Sequence, residues 1–87
     1  MEVKKCFGLL LRKRRREKKF SQQCLADKVG LDRTYISLIE RGGRSPTLTT
    51  LYKLSNALEC ETSELIRELE KDLGIYNIDD LKMFATE

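Results

Sequence analysis

The stretch Ser21-Gln22-Gln23-Cys24-Leu25-Ala26-Asp27-Lys28-Val29-Gly30-Leu31-Asp32-Arg33-Thr34-Tyr35-Ile36-Ser37-Leu38-Ile39-Glu40-Arg41-Gly42 holds two short helical patterns with almost nothing between them. Ser21 offers a hydroxyl oxygen to the free amides of a helix over Gln22 to Val29, whose inner face is Leu25, Ala26 and Val29. Gly30 supplies a left-handed ending at little cost, and only Leu31 and Asp32 precede the next periodic stretch. Asp32 is a second N-cap, for a helix over Arg33 to Arg41 that stops at Gly42-Gly43. Helices joined this closely cross steeply, and Ala26 is small where the crossing brings backbones together.

Projected at about 100° per residue, the second of these helices has two unlike sides. Ile36 and Ile39 lie on one, Arg33, Thr34, Ser37, Leu38 and Arg41 on the other, with Tyr35 at the boundary. The isoleucine side belongs to a core. The opposite side is long, polar and basic, a surface that fits a DNA major groove.

Working outward, Phe7, Leu10 and Leu11, then Arg14 and Arg15, recur at helical spacing between Val3 and Lys19, which predicts a first helix with a basic outer side. Arg12 to Arg16 is a basic run, read as a mainly solvated face; because side chains on a helix point several ways, Arg14 or Arg15 must turn inward and be neutralised. Beyond the glycine pair, Thr47 is the expected cap of a helix with Leu48, Leu51, Leu54, Ala57 and Leu58 on one stripe. Thr62 is the expected cap of the next, with Leu65, Ile66, Leu69 and Leu73 inward and Gly74 at its end. A short extra helix from about Ile78 is possible, with Asp79 and Asp80 near its positive end. The expected fold is an all-α, compact five-helix bundle, residues 1–74 forming one domain and 75–87 a C-terminal extension.

Composition narrows the function. At 87 residues the chain supports one modest core. Its net charge of +3 is unevenly placed: residues 1–50 carry 13 Lys and Arg against 5 Asp and Glu, residues 51–87 carry 4 against 9. One part of the surface should attract a polyanion. Cys6, Cys24 and Cys60 are odd in number and far apart, and His is absent, so the cysteines read as small apolar residues of a reducing cytosol rather than as a zinc site or a disulfide frame. No apolar run suits a membrane span or signal peptide, and a cytoplasmic location is expected. Without His, a glycine-rich phosphate loop or a nucleophile beside a base, enzymatic chemistry has no foothold, and no metal, cofactor or small-molecule ligand is expected.

The stretch from Ser21 to Gly42 resembles the lambda-repressor-like (phage repressor) helix-turn-helix family. The likeness extends to Phe7-Gly8 with Leu11 and Arg15, and to Pro46-Thr47-Leu48-Thr49-Thr50-Leu51 with Leu54 and Ala57-Leu58, covering about Phe7 to Ile66. Asp32-Arg33-Thr34-Tyr35-Ile36-Ser37 and the short length are similar to controller proteins of restriction-modification systems. The resemblance implies five packed helices, the third in the major groove, and a homodimer on a two-fold DNA operator. It places Arg33 where a side chain reaches a base edge, and a guanidinium can grip guanine in a bidentate fork. Thr34 and Ser37 would contact bases or phosphate, and Leu38 either touches a thymine methyl or is a tolerated surface leucine. Gln22 would bind a phosphate beside the helix amides, as would Tyr35 and Arg44, and Arg41 either does so or is a solvated cation favouring the helix dipole. Arg15 and Glu40 match a pair that bridges the first and third helices. The sequence departs from the family pattern at Arg14, where an apolar residue is usual, and at Lys19, where glycine is common.

One recognition helix covers only about 4 or 5 base pairs, so two copies about 34 Å apart are needed to find a site. The expected dimer contact is Leu65, Leu69, Leu73, Ile75, Tyr76, Ile78, Leu81 and Phe84, in the acidic second half. The function implied is an autoregulatory, sequence-specific DNA-binding regulator, repressor or activator alike. The alternative is an antitoxin-like or other protein-interaction module.

Overall fold

The pairing of caps and apolar periods fixes the order of elements. The computed structural model describes residues 2–74, and these hold α1 (Val3–Glu17), α2 (Gln22–Val29), α3 (Arg33–Glu40), α4 (Leu48–Ala57) and α5 (Thr62–Leu73). Among the described residues there is no strand, and no helix is long and apolar enough to cross a membrane. The proposed extra helix from about Ile78 lies outside the described residues.

The helices form a closed ring of contacts: α1 on α3, α3 on α2, α2 on α4, α4 on α5, and α5 back on α1. Each contributes its apolar stripe to the shared centre, Phe7, Leu10 and Leu11 from α1, Leu25, Ala26 and Val29 from α2, Ile36 and Ile39 from α3, Leu54 from α4, and Leu65 and Leu69 from α5. Ser55 is also fully buried, its hydroxyl donating to the Leu51 carbonyl at 2.9 Å, so its polarity costs little. Cys6 packs in the core, and burial pushes the thiols of Cys6 and Cys60 up; all three cysteines are free. The reading of Cys6 as a small apolar residue fits this placement.

Three caps form as the sequence indicates. Ser21 Oγ accepts from the Cys24 amide at 3.0 Å, Asp32 Oδ1 from the Thr34 amide at 2.7 Å, and Thr47 Oγ1 from the Thr50 amide at 3.1 Å. Gly30 and Gly74 close α2 and α5 in the left-handed region, at φ +72° and +76°.

Several expectations are corrected. The first helix ends at Glu17, not Lys19, because Lys19 turns to φ +62° and the Phe20 amide returns to the Arg15 carbonyl at 3.1 Å. The third ends at Glu40, with Arg41 as its C-cap. Leu48 is 79% exposed and leaves the α4 stripe, since the core at that end stops at the half-buried Leu51. Thr62 is the first residue of α5 and not its cap; Glu61 holds the cap position without a capping hydrogen bond, its carboxylate instead meeting the Ser63 hydroxyl at 3.5 Å.

The basic run is only partly a solvated face. Arg12 and Arg15 turn to Glu40 on α3, while Lys13 and Arg14 turn to α5. Arg14 Nη2 lies 3.5 Å from Glu64, and its Nε lies 3.4 Å from Glu68 Oε2, with both of those last atoms enclosed and lacking a hydrogen bond. Where an apolar residue is usual, this chain therefore ties α1 to α5 with charge. Gly8, by contrast, lets α1 lie directly on the end of α3: a Cβ there would overlap the Ile39 carbonyl oxygen and stand 2.6 Å from that of Glu40.

Candidate nucleic-acid interface

Recognition by a helix requires that its anchored side be immobile and its outer side free. On α3, Ile36 and Ile39 are fully buried, and Glu40 is 2% exposed. Glu40 is held by a bidentate fork from Arg15, Nε to Oε2 at 2.6 Å and Nη2 to Oε1 at 3.0 Å, and Arg15 Nη1 also donates to the Phe20 carbonyl at 2.9 Å. Arg12 Nε adds a longer bond to Oε1 at 3.4 Å, and Gln22 Nε2 donates to the same oxygen at 3.1 Å. Burial pushes the Glu40 carboxyl up. The hydrogen bonds from Arg15 and Gln22, the Arg15 charge and the Arg12 bond outweigh it and hold it below the ordinary carboxylate value of 4.5. The expected pairing of Arg15 with Glu40 is thus present as the buried joint between α1, α2 and α3.

The outer side carries the expected base-reading set. Arg33 and Thr34 are exposed, and Ser37 and Leu38 are half-buried. Leu38 is less free than its helical position suggested, because Gly43 folds back on it: the Gly43 amide donates to the Leu38 carbonyl at 2.9 Å. Arg33 Nη1 reaches the Gln22 carbonyl oxygen, Oε1, at 3.4 Å.

Of the expected phosphate-binding set, Arg41 and Arg44 are exposed, and Gln22 and Tyr35 half-buried. Arg44 stacks over the Tyr35 ring, 5.5 Å from its centre, which braces the loop after Gly42 against α3. Arg41 Nε lies 3.4 Å from the Ser37 carbonyl, near the negative end of the helix, as a dipole-favouring cation would. α2 contributes its first residue, Gln22, beside the first residue of α3, so the two helix starts meet at one edge of the surface.

Sequence reasoning missed Arg12 and Gln22 as partners of Glu40. The available signal was that a buried carboxylate, with two oxygens and four lone-pair directions, gathers donors beyond a single arginine. The expected dimer set divides. Leu65 and Leu69 are 0% and 8% exposed, spent on the core of their own chain, because the inward stripe of α5 faces α1 and α4. Leu73 is half-buried, and Ile75, Tyr76, Ile78, Leu81 and Phe84 lie outside the described residues. Among the described residues, the exposed large apolar side chains are Leu9 and Tyr52, which the sequence did not single out, and Leu48, which it placed on the inner stripe of α4.

The comparisons with known proteins fit this geometry. Residues 11–65, from the middle of α1 into α5, match the helix-turn-helix family HTH_3. The control protein C.MunI of a Mycoplasma species is 43% identical over 72 residues, 82% of this chain and 97% of its own length. The restriction-modification controller protein C.AhdI from Aeromonas hydrophila has a crystal structure 44% identical to this chain, with a TM-score of 0.68 over 70% of this chain and 92% of that one. The controller protein C.Esp1396I, crystallised as a tetramer with its natural 35 base-pair operator, is 35% identical with a TM-score of 0.75, over 83% of this chain and 95% of that one. The match across α2 and α3, and the length shared with these controller proteins, place this chain in the helix-turn-helix family.

Proposed function

We propose that this chain is a sequence-specific, DNA-binding transcriptional regulator that acts as a homodimer on a two-fold operator, with α3 in the major groove. One observation carries the reading: the exposed Arg33 and Thr34 stand on a helix whose opposite side is locked by Ile36, Ile39 and the Arg15–Glu40 fork. Arg33 reads a guanine through its fork, with Thr34, Ser37 and Leu38 beside it, while Gln22, Tyr35, Arg41 and Arg44 hold phosphates. Relatives named as a control protein and an HTH-type transcriptional regulator support a regulatory role, and on this reading the protein acts without catalysis, in the cytoplasm. The likeness to controller proteins supports autoregulation, with the operator in front of its own gene.

Dimerisation uses Leu73 and the apolar residues of 75–84, Ile75, Tyr76, Ile78, Leu81 and Phe84. A chain ended after Gly74 should run as a monomer by sedimentation at micromolar concentration, and an unchanged dimer there would move the contact elsewhere, first to Leu48 and Tyr52, one turn apart on α4. The function itself is tested by selecting duplexes from random DNA and titrating salt on the winner. With about 6 to 10 phosphate contacts per dimer, affinity should fall by about 10³ to 10⁵ between 50 and 200 mM salt. No enriched sequence and a flat salt response would point to a protein partner and remove the regulator.

A further inference from the structure

Once the core and the reading surface are accounted for, an apolar groove is left over. It opens between the start of α1, the loop after Gly42, α4 and α5, and its lining is Val3, Phe7, Pro46, Leu51, Ile66 and Leu69. Phe7 and Leu69 are buried, while Val3, Pro46, Leu51 and Ile66 are half-buried, so among the described residues the groove is apolar but not closed over. Its volume is about 160 Å³, and an apolar space of about 150 Å³ takes a benzene-sized ring. Lys4 stands exposed at the rim, with Glu2 at 4.0 Å, and the exposed Lys5 follows it.

We propose that this groove receives the Phe84 ring of a second copy of the chain, so that two copies exchange the segments that follow Gly74. The inference rests on the homodimer reading and supplies what that reading leaves open, the surface on which residues 75–84 dock. Composition and charge select the occupant: six of the ten residues 75–84 are apolar, Ile78, Leu81 and Phe84 recur three apart, and Asp79 and Asp80 complement Lys4 and Lys5. Area points the same way. A stable pair of chains buries about 1,200 to 2,000 Å², yet Leu9, Leu48 and Tyr52 are too few to anchor one folded body flat on another. Reach favours the partner's groove over the chain's own. Helix α5 runs from Ile66 and Leu69 at the groove to Gly74, about 7.5 Å further along at 1.5 Å per residue, so each segment starts beyond the groove of its own chain. The ten residues from there to Phe84 span up to about 33 to 36 Å, enough to cross to a neighbour. Exchange is reciprocal about a two-fold axis, so one kind of groove and one kind of arm account for both halves of the contact.

The test uses the full chain. Phe84→Ala leaves every core residue of α1 to α5 in place, and by sedimentation it should raise the dimer Kd about 10-fold or more, as the loss of a buried aromatic anchor does, with the circular dichroism of wild type. Ile66→Ala, on the groove side, should weaken the dimer as well, and the two changes together should cost little more than the worse of them alone. A second measurement needs no variant to fold. In dimers mixed from carbon-13-labelled and unlabelled wild-type chains, isotope-filtered NMR should show contacts between chains from the Phe84 ring to the Ile66 and Leu51 methyl groups. The same contacts found only within one chain mean that the segment covers its own groove, which overturns the exchange. A dimer without contact between Phe84 and the groove, or one whose Kd does not respond to Phe84→Ala, overturns the docking site while leaving the homodimer standing. Wild type that sediments as a monomer at micromolar concentration removes the homodimer, and the exchange with it.

Discussion

Replacing Gly8 by alanine sets two effects of opposite sign against each other, so the direction of the change is itself a test of the fold. In a helix interior, alanine is favoured over glycine by about 1 kcal/mol. The added Cβ, however, would overlap the Ile39 carbonyl oxygen and lie 2.6 Å from the Glu40 oxygen and 2.9 Å from the Glu40 carbonyl carbon. All three obstacles are backbone, so no side-chain rotation relieves them, and α3 must retreat from α1. Inserting a methyl group into so tight a contact costs about 1 to 3 kcal/mol on its own. Retreat also stretches the Arg15 fork on Glu40, whose bonds of 2.6 and 3.0 Å span the same two helices. The net expectation is a loss of about 2 kcal/mol, a large part of the stability of so small a domain. Equilibrium unfolding in urea, followed by circular dichroism, should show a lower midpoint with an unchanged slope. A midpoint above that of wild type would mean that helix propensity wins and that α1 does not lie on α3 as described.

Lys19 holds φ +62° without being glycine, so Lys19→Gly should stabilise by about 0.5 to 1 kcal/mol and raise the melting temperature by a few degrees. Arg14→Leu alone should destabilise by about 1 kcal/mol, because it leaves the half-buried Glu68 facing an apolar side chain; adding Glu68→Leu should restore wild-type stability or exceed it, and a double variant worse than the single would contradict a packing role for that pair. Since the folded state holds Glu40 below its ordinary 4.5, the associated stability is present above that value and lost as pH falls through the lower folded one. Asp32 acts with the same sign, through the Thr34 amide and then its hydroxyl. The urea midpoint should be level near neutrality and drop in acid, with a smaller drop in Glu40→Gln; an equal drop in that variant would assign the acid sensitivity to other carboxyls.

What the sequence made legible follows from how local each signal is. Ser21, Asp32 and Thr47 reach amides two or three residues away, so their roles are written in adjacent letters. The outer set around Arg33 was equally accessible, because α3 is one regular helix with two isoleucines marking its inner side. The ion pairs of Arg14 were not, since Glu64 and Glu68 lie about fifty residues away and nothing near Arg14 names them. The tight approach at Gly8 depends on where α3 ends relative to α1, a relation no single helix contains. Leu65 and Leu69 illustrate a different limit: periodicity marks the apolar side of α5, but whether that side meets its own core or a second copy depends on how much core the other helices leave open.

The two sides of α3 also divide how the chain can change over generations. Ile36, Ile39 and Glu40 secure the helix, while the exposed Arg33 and Thr34 bear little of that burden. On the proposed reading, substitutions at these outer positions can accumulate and redirect the protein to another operator while the scaffold stays intact. Position 33 keeps one restriction, since it faces the amide oxygen of Gln22: side chains that offer a hydrogen there are accommodated, and acidic ones are repelled. A lineage of such proteins would diversify its targets freely at position 34 and more narrowly at 33.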